Sequence, residues 1–312
     1  MPLGHSQDAV EVLDSTLREG SQARGMNFTI QSKIKIALEL DALGVHIIEA
    51  GWPGSNPKDI ELFKALREYS LSNAKIAAFS ATRRRDAAPD DDPSLNAVID
   101  SKADLAVVFG KSWKLHIETV LRASQEQNLD IIGDSVTYLR EHGLDVIYDA
   151  EHFFDGYRDD PDLALGTVRV AEESGASRIV LADTNGGTLP HEVERVVGEA
   201  AKVVRGPLGV HMHNDSGNAV ANTIMGVLSG ARHVQVTVNG IGERVGNADL
   251  CQVIPNLELK LGFRTLKSPL PPERRLRGLT RLSGLVYEAG GTPRDKYQPY
   301  VGEFAFAHLD HD

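Results

Sequence analysis

Apolar runs and amphipathic segments alternate eight times along this chain, and few folds accept that rhythm. The apolar runs read as strands at 10–17, 45–50, 75–81, 104–110, 145–150, 178–183, 208–213 and 233–239. Helical patterns follow them at about 31–43, 57–69, 94–101, 124–142, 161–174, 189–203, 217–229 and 247–261. Eight βα units in about 250 residues match the count and size of a (β/α)8 TIM barrel. A doubly wound sheet is the rival, but no strand is followed by a GxGxxG turn. Punctuation agrees with the barrel: Thr188-Leu-Pro190 opens one helix, and Gly44, Gly143, Gly175 and Gly230 close others. Past Leu261 the rhythm stops. Residues 266–272 read as a Pro-rich linker, 273–289 as one further helix, and the remainder as an extended tail. The chain therefore divides into a barrel domain over 1–262 and a short C-terminal helical extension over 263–312.

Composition narrows the function classes. With 41% hydrophobic and 25% charged residues among 312, the chain can bury a large core. A net charge of −11 argues against a nucleic-acid surface. No run approaches the ~18 apolar residues of a membrane span, and Met1-Pro-Leu-Gly-His lacks signal-peptide character, so a cytoplasmic protein is expected. Cys251 stands alone and reads as a small core residue. An acidic protein that handles anionic substrates needs a local positive site, either a metal or an arginine.

In a TIM barrel that site lies at the carboxyl ends of the strands. His211 and His213 are two apart on the seventh strand and share one face. Two adjacent imidazoles want a carboxylate to complete a metal site; the plain alternative is a pair of solvated or core-satisfied histidines. The first strand leads into Arg18 and Glu19, which serve one site only if the strand breaks at Arg18, as Gly20 permits. Glu49 ends the second strand, where a carboxylate needs a partner, and Arg18 is the nearest cation. Glu151 ends the fifth strand among aromatic residues, which favours a raised pKa and acid/base work; the alternative is a pair with a neighbouring cation. Thr184 ends the sixth and suits a substrate carboxylate, unless that loop serves only as a helix cap through Asn185 and Thr188. Asn247 opens the last helix, as its cap or as a neutral oxygen ligand. The ligand set is then Glu19, His211, His213 and Asn247, a donor mixture suited to Mn²⁺, Zn²⁺ or Mg²⁺. The run Arg83-Arg-Arg85 before Asp90-Asp-Asp92 reads as a self-neutralising loop, with substrate-anion capture as the other reading.

These strand ends carry a family resemblance. The segments DSTLREGSQ, IEAGWPGSNPKD, YDAEHFFDGY, LADTNGGTLPHE, HMHNDSGNAVAN and NGIGERVGNADL resemble the metal-dependent Claisen-condensing barrels. This is the 2-isopropylmalate, homocitrate and citramalate synthase family of the DRE-TIM metallolyases, with hydroxymethylglutaryl-CoA lyase as a relative. FGKSWKLH, YDAEHFFDGY and ADTNGGTLPHE are most similar to the citramalate branch, whose members join acetyl-CoA to pyruvate on the pyruvate route to isoleucine. The resemblance implies a divalent metal held by Glu19, His211, His213 and Asn247. It implies that Arg18 polarises the keto group and steadies the enolate, that Thr184 holds the 2-oxo acid carboxylate, and that Glu151 does the acid/base work. Glu49 joins the catalytic set, Asp14 a supporting one, and a homodimer is implied. Phe79, Phe109 and Tyr148 are expected to narrow the pocket around a methyl group, which favours pyruvate. After Ala-Phe-Ala-His308 the family generally continues into an accessory region that holds a catalytic histidine; His308 is the candidate for that role, or else a solvent-exposed residue. The alternatives are a synthase for a larger 2-oxo acid, a C–C lyase, a barrel that binds metal and 2-oxo acid but condenses poorly without a partner chain, and an unrelated phosphate-handling barrel.

Overall fold

A computed structural model describes residues 9–307. Eight strands, β1 (Glu11–Asp14), β2 (Ile47–Gly51), β3 (Lys75–Ala81), β4 (Leu105–Lys111), β5 (Asp145–Glu151), β6 (Arg178–Asp183), β7 (Leu208–Met212) and β8 (His233–Val236), pair in parallel and in sequence order. β1 returns to pair with β8, which closes the barrel and leaves no sheet edge. The barrel helices are α1 (Ile30–Leu43), α2 (Pro57–Leu66), α3 (Pro93–Ser101), α4 (Gln125–Glu141), α5 (Pro161–Glu173), α6 (Pro190–Ala200), α7 (Ala219–Leu228) and α8 (Leu250–Pro255). None of the described helices is long and apolar enough to cross a membrane.

Strand alternation sorts the core into two layers. Leu13, Ile47, Ala77, Phe79, Leu105, Val107, Ile147 and Val180 fill the barrel interior. Their neighbours, among them Val12, Ile48, Ala106, Tyr148 and Leu181, point outward into the shell of helices. Helix ends follow local chemistry. Thr29, Asp92 and Asp160 accept hydrogen bonds from first-turn amides, and Ser124 forms a capping box with Gln127. Gly44 ends α1 with φ 96°, where an added Cβ would stand 2.9 Å from the Lys267 carbonyl oxygen. At the amino ends of the strands Arg178 holds Glu11 through Nε and Nη2, at 2.6 and 2.8 Å, and Asp145 through Nη1 at 2.7 Å. That rim is built for stability.

Several boundaries differ from the sequence reading. β1 stops at Asp14 and β8 at Val236, because polar residues then turn the chain into the site loops. The last barrel helix starts at Leu250 and is capped by Asp249, so Asn247 is not its cap. Neither Asn185 nor Thr188 caps α6, whose N-cap position is Leu189. The extension is not one helix over 273–289: a short helix at Pro272–Arg275 and a turn at Leu276–Gly278 precede α9 (Leu279–Gly290). At the break, Gly278 lies so close to Leu43 that a Cβ would come within 3.2 Å of it.

Candidate active site

After Asp14 the chain coils into a helical turn, with the Glu19 amide donating to the Ser15 carbonyl at 2.8 Å. The break therefore comes before Arg18, and it brings Arg18 and Glu19 to the same pocket. Gly20 contributes by lacking a side chain: an added Cβ would sit 2.8 Å from Ile241. Arg18 donates through Nε to Glu49 Oε2 at 2.7 Å and through Nη1 to Glu19. Ser15 donates to the same Glu49 oxygen. All three charged side chains are buried, and Glu49 is 0% exposed. Burial alone would raise the Glu19 carboxyl, but the Arg18 charge and the two nearby histidines hold it at about 2. Glu19 is therefore a carboxylate at any physiological pH.

Opposite this pair, β7 brings in His211 and His213, whose Nε2 atoms stand 3.0 Å apart. Ligand atoms of Glu19, His211 and His213 all lie within 4.8 Å of one another. Burial, with His211 beside it, lowers His213 to about 3, so its ring is neutral. Asn247 sits in the loop before α8, bridged to His213, with Nδ2 3.2 Å from His211 Nε2. Its Oδ1 is buried without a hydrogen-bond partner, and a Cβ on Gly242 would come within 1.8 Å of that oxygen. One carboxylate, two imidazoles and an orphaned amide oxygen make a donor set that fits a hard-to-borderline divalent cation. The outer edge of His213 receives Arg244 Nη2 at 2.8 Å, and Arg244 is itself held by Asp215.

The pocket at this barrel mouth has a volume of about 620 Å³. Phe79 and Phe109 stack at 5.2 Å, and Trp52 meets both edge-on at 5.3 and 5.6 Å. Arg18 lies over the Phe79 ring at 3.8 Å. Thr184 lines the same pocket, and its Oγ1 accepts from the His152 amide at 2.8 Å, which leaves the hydroxyl proton to donate. Glu151 also lines it, but its carboxylate is met by the Lys111 ammonium, while Phe153 and Phe154 point away into the core. The cation pairing is therefore the correct local description of Glu151, not an aromatic cage. Tyr148 is a second correction. It belongs to the outward layer, fully buried, and an added Cβ on Gly110 would stand 2.6 Å from its hydroxyl. Residues 147, 149 and 151 point inward on β5, so alternation excludes Tyr148 from the pocket. His308 lies outside the described residues. The Arg83 side chain is taken by three loop carbonyls and by Asp134, which lies on α4 outside the loop, and Arg85 by Asp86; Asp92 caps α3 instead of pairing an arginine side chain, so these arginines are met but not by the Asp90–Asp92 run.

Three site residues escaped the sequence reading. Trp52 stood in view in the Glu49-Ala-Gly-Trp segment and completes the aromatic wall. Asp149 and Gln235 are polar residues inside apolar strands, a signal in itself, and they meet at 2.8 Å across the barrel. Burial, and then the nearby Glu49 charge, raise Asp149 well above the usual carboxylate range.

Comparison with known proteins bears on this geometry. The HMGL-like family model matches residues 9–284. The (R)-citramalate synthase of Sulfolobus acidocaldarius is 56% identical over 96% of this chain and 57% of its own length. That of Geobacter sulfurreducens is 48% identical over 96% and 56%. The chain thus spans about half the length of these curated relatives. The 2-isopropylmalate synthase of Sulfurisphaera tokodaii is 37% identical over 96% of this chain and 73% of its own. Among solved structures, an HMG-CoA lyase from Bacillus subtilis superposes with a TM-score of 0.76 at 19% identity, covering 94% of this chain and 96% of that one, which bears on the fold alone. Family membership rests on the model match and on the relative covered over 73% of its length: the chain belongs to the HMGL-like family, within the DRE-TIM metallolyases that its strand-end motifs resemble.

Proposed function

We propose that this barrel condenses acetyl-CoA with pyruvate and that one water then hydrolyses the thioester, giving (R)-citramalate and CoA. It would act as an acyltransferase that converts the acyl group to alkyl on transfer. The observation that carries the reading is the match to (R)-citramalate synthases at 45% to 56% identity, against 35% to 37% for the 2-isopropylmalate synthases. The aromatic wall of Trp52, Phe79 and Phe109 supports a small 2-oxo acid, because its bulky apolar rings line the pocket beside Arg18.

In this reading Glu19, His211, His213 and Asn247 hold a divalent cation. When bound, such a cation polarises the keto group and offsets the negative charge that develops on it. The other steps fall to the chain's own residues. Arg18 is locked by Glu49 and Glu19 through Nε and Nη1, and its Nη2 has no partner among the described residues. It therefore presents a fixed donor edge to the keto oxygen without reorganising. Thr184 donates its free hydroxyl proton to the substrate carboxylate. Glu151, positioned by its contact with Lys111, moves the proton of the acetyl methyl group. Glu49 anchors Arg18 and touches no substrate atom. Residues 1–262 supply this machinery and 263–312 an accessory segment. The two are stitched together where Gln298 donates to Asp249 at 2.9 Å and Ser283 to Asn239 at 2.6 Å.

The test is thiol release from acetyl-CoA against a panel of 2-oxo acids, with and without Mn²⁺. Metal-dependent release selective for pyruvate supports the proposal, and equal release with larger 2-oxo acids overturns its substrate. A second reading draws on the shared half-length with the relatives: a barrel that takes up Mn²⁺ and pyruvate but releases no CoA until the rest of such a protein is supplied. The homodimer belongs to the same proposal, and analytical ultracentrifugation checks it.

A further inference from the structure

The mechanism above makes no use of Asp149 or Gln235, although both are buried in the barrel beside the cation site, 5% and 1% exposed. Gln235 lies on β8 in register with His211 on β7. Its Oε1 stands 2.7 Å from His211 Nδ1, and its Nε2 donates to Asp149 Oδ1 at 2.8 Å. The two ends of an amide are not interchangeable: the oxygen only accepts and the nitrogen only donates. An acceptor oxygen at Asp149 therefore keys the amide nitrogen toward β5 and turns the amide oxygen toward His211. An oxygen there obliges His211 Nδ1 to carry the ring proton. In a neutral ring that leaves Nε2 bare. Nε2 is the atom that faces His213 Nε2 and Asn247 Nδ2.

We propose that Asp149 and Gln235 are positioning residues that lock His211 in its Nδ1–H form, with Nε2 free to ligate. This inference rests on the metal-centre reading and adds to it a cause for the state of one ligand. Without an acceptor at 149, the amide can turn over and donate to Nδ1. The ring proton then moves to Nε2, where metal binding has to displace it. Partners of this kind on metal-bound histidines are worth about 10- to 100-fold in metal affinity.

The experiment measures Mn²⁺ dissociation constants by electron paramagnetic resonance of the free ion. Alongside it, ¹⁵N-edited NMR of histidine-labelled, metal-free protein reads which His211 nitrogen carries the proton. The wild type shows Nδ1–H. Asp149→Leu weakens Mn²⁺ binding at least tenfold and gives mixed Nδ1–H and Nε2–H. Adding Gln235→Glu to Asp149→Leu restores affinity to within about threefold, because a carboxylate has no donor end to turn toward the ring. A purely structural role for Asp149 predicts the reverse, since the double variant would bury one more unpaired charge. Wild-type NMR needs no substitution, so a variant that fails to fold does not end the test. Failure of the wild type to take up Mn²⁺ overturns the metal-centre reading and this inference together. Mn²⁺ uptake with Nε2–H in the wild type, or unchanged affinity in Asp149→Leu, overturns this inference alone.

Discussion

Replacing Arg18 with methionine removes the only guanidinium among three buried charged side chains. Glu49 is then left with Ser15 as its remaining donor, and its Oε1 already has no hydrogen-bond partner. Because Glu49 is 0% and Arg18 8% exposed, water screens little of the loss. Breaking a buried pair from one side costs about 3–5 kcal/mol. Glu49→Gln is milder, at about 1–2 kcal/mol, because the amide oxygen still accepts from Arg18, and Arg18 keeps Glu19. Removing both partners in Arg18→Met/Glu49→Leu should cost less than Arg18→Met alone, since one of the two buried carboxylates that Arg18 pairs goes with it and only Glu19 is left without its cation. The assay is urea unfolding of metal-free protein at pH 7.5, read as a double-mutant cycle. A loss under about 1 kcal/mol in Arg18→Met, or strict additivity in the double variant, refutes the claim that Arg18 is the counter-charge that lets these acids be buried.

Three further outcomes are expected. Glu19→Ala and His211→Ala abolish Mn²⁺ uptake in equilibrium dialysis, and wild-type occupancy in either removes that residue from the ligand set. Asp14 is pushed up to about 7 by burial, against the pull of two Thr16 hydrogen bonds. Its folded pKa thus lies above the unfolded one, so its stabilisation is complete in acid and is lost as the pH rises toward 7. Relative to wild type, Asp14→Asn should therefore gain stability across that window by up to about 1.4 kcal/mol per pH unit and level off above it; urea midpoints at three pH values check the slope, and the opposite slope refutes the assignment. Phe109→Ala opens the aromatic wall, and the ratio of kcat/KM for a branched 2-oxo acid over pyruvate should rise about 10- to 200-fold. An unchanged ratio means that Phe109 does not set the substrate size.

Much of this protein was legible one segment at a time. The eight units follow from periodicity and helix punctuation, which are local properties. Glu19, His211 and His213 could be named because strand ends converge in any such barrel, whatever their separation in the chain. What the sequence left open was the direction of single side chains and the partners met across the barrel. Tyr148 and Glu151 looked like one site until the parity of β5 turned Tyr148 into the helical shell and brought Asp149 inward. Glu151 looked like an acid among aromatics until β4 laid Lys111 against it. The break after Asp14 became visible only with Ser15 bonded to Glu19 and Ile241 packed on Gly20. The link between Asp149 and Gln235 spans 86 residues. Periodicity tells each strand which way it can face, but only closure of the sheet decides which polar atoms end within 3 Å of each other, because a hydrogen bond is set by position in space and not by spacing along the chain.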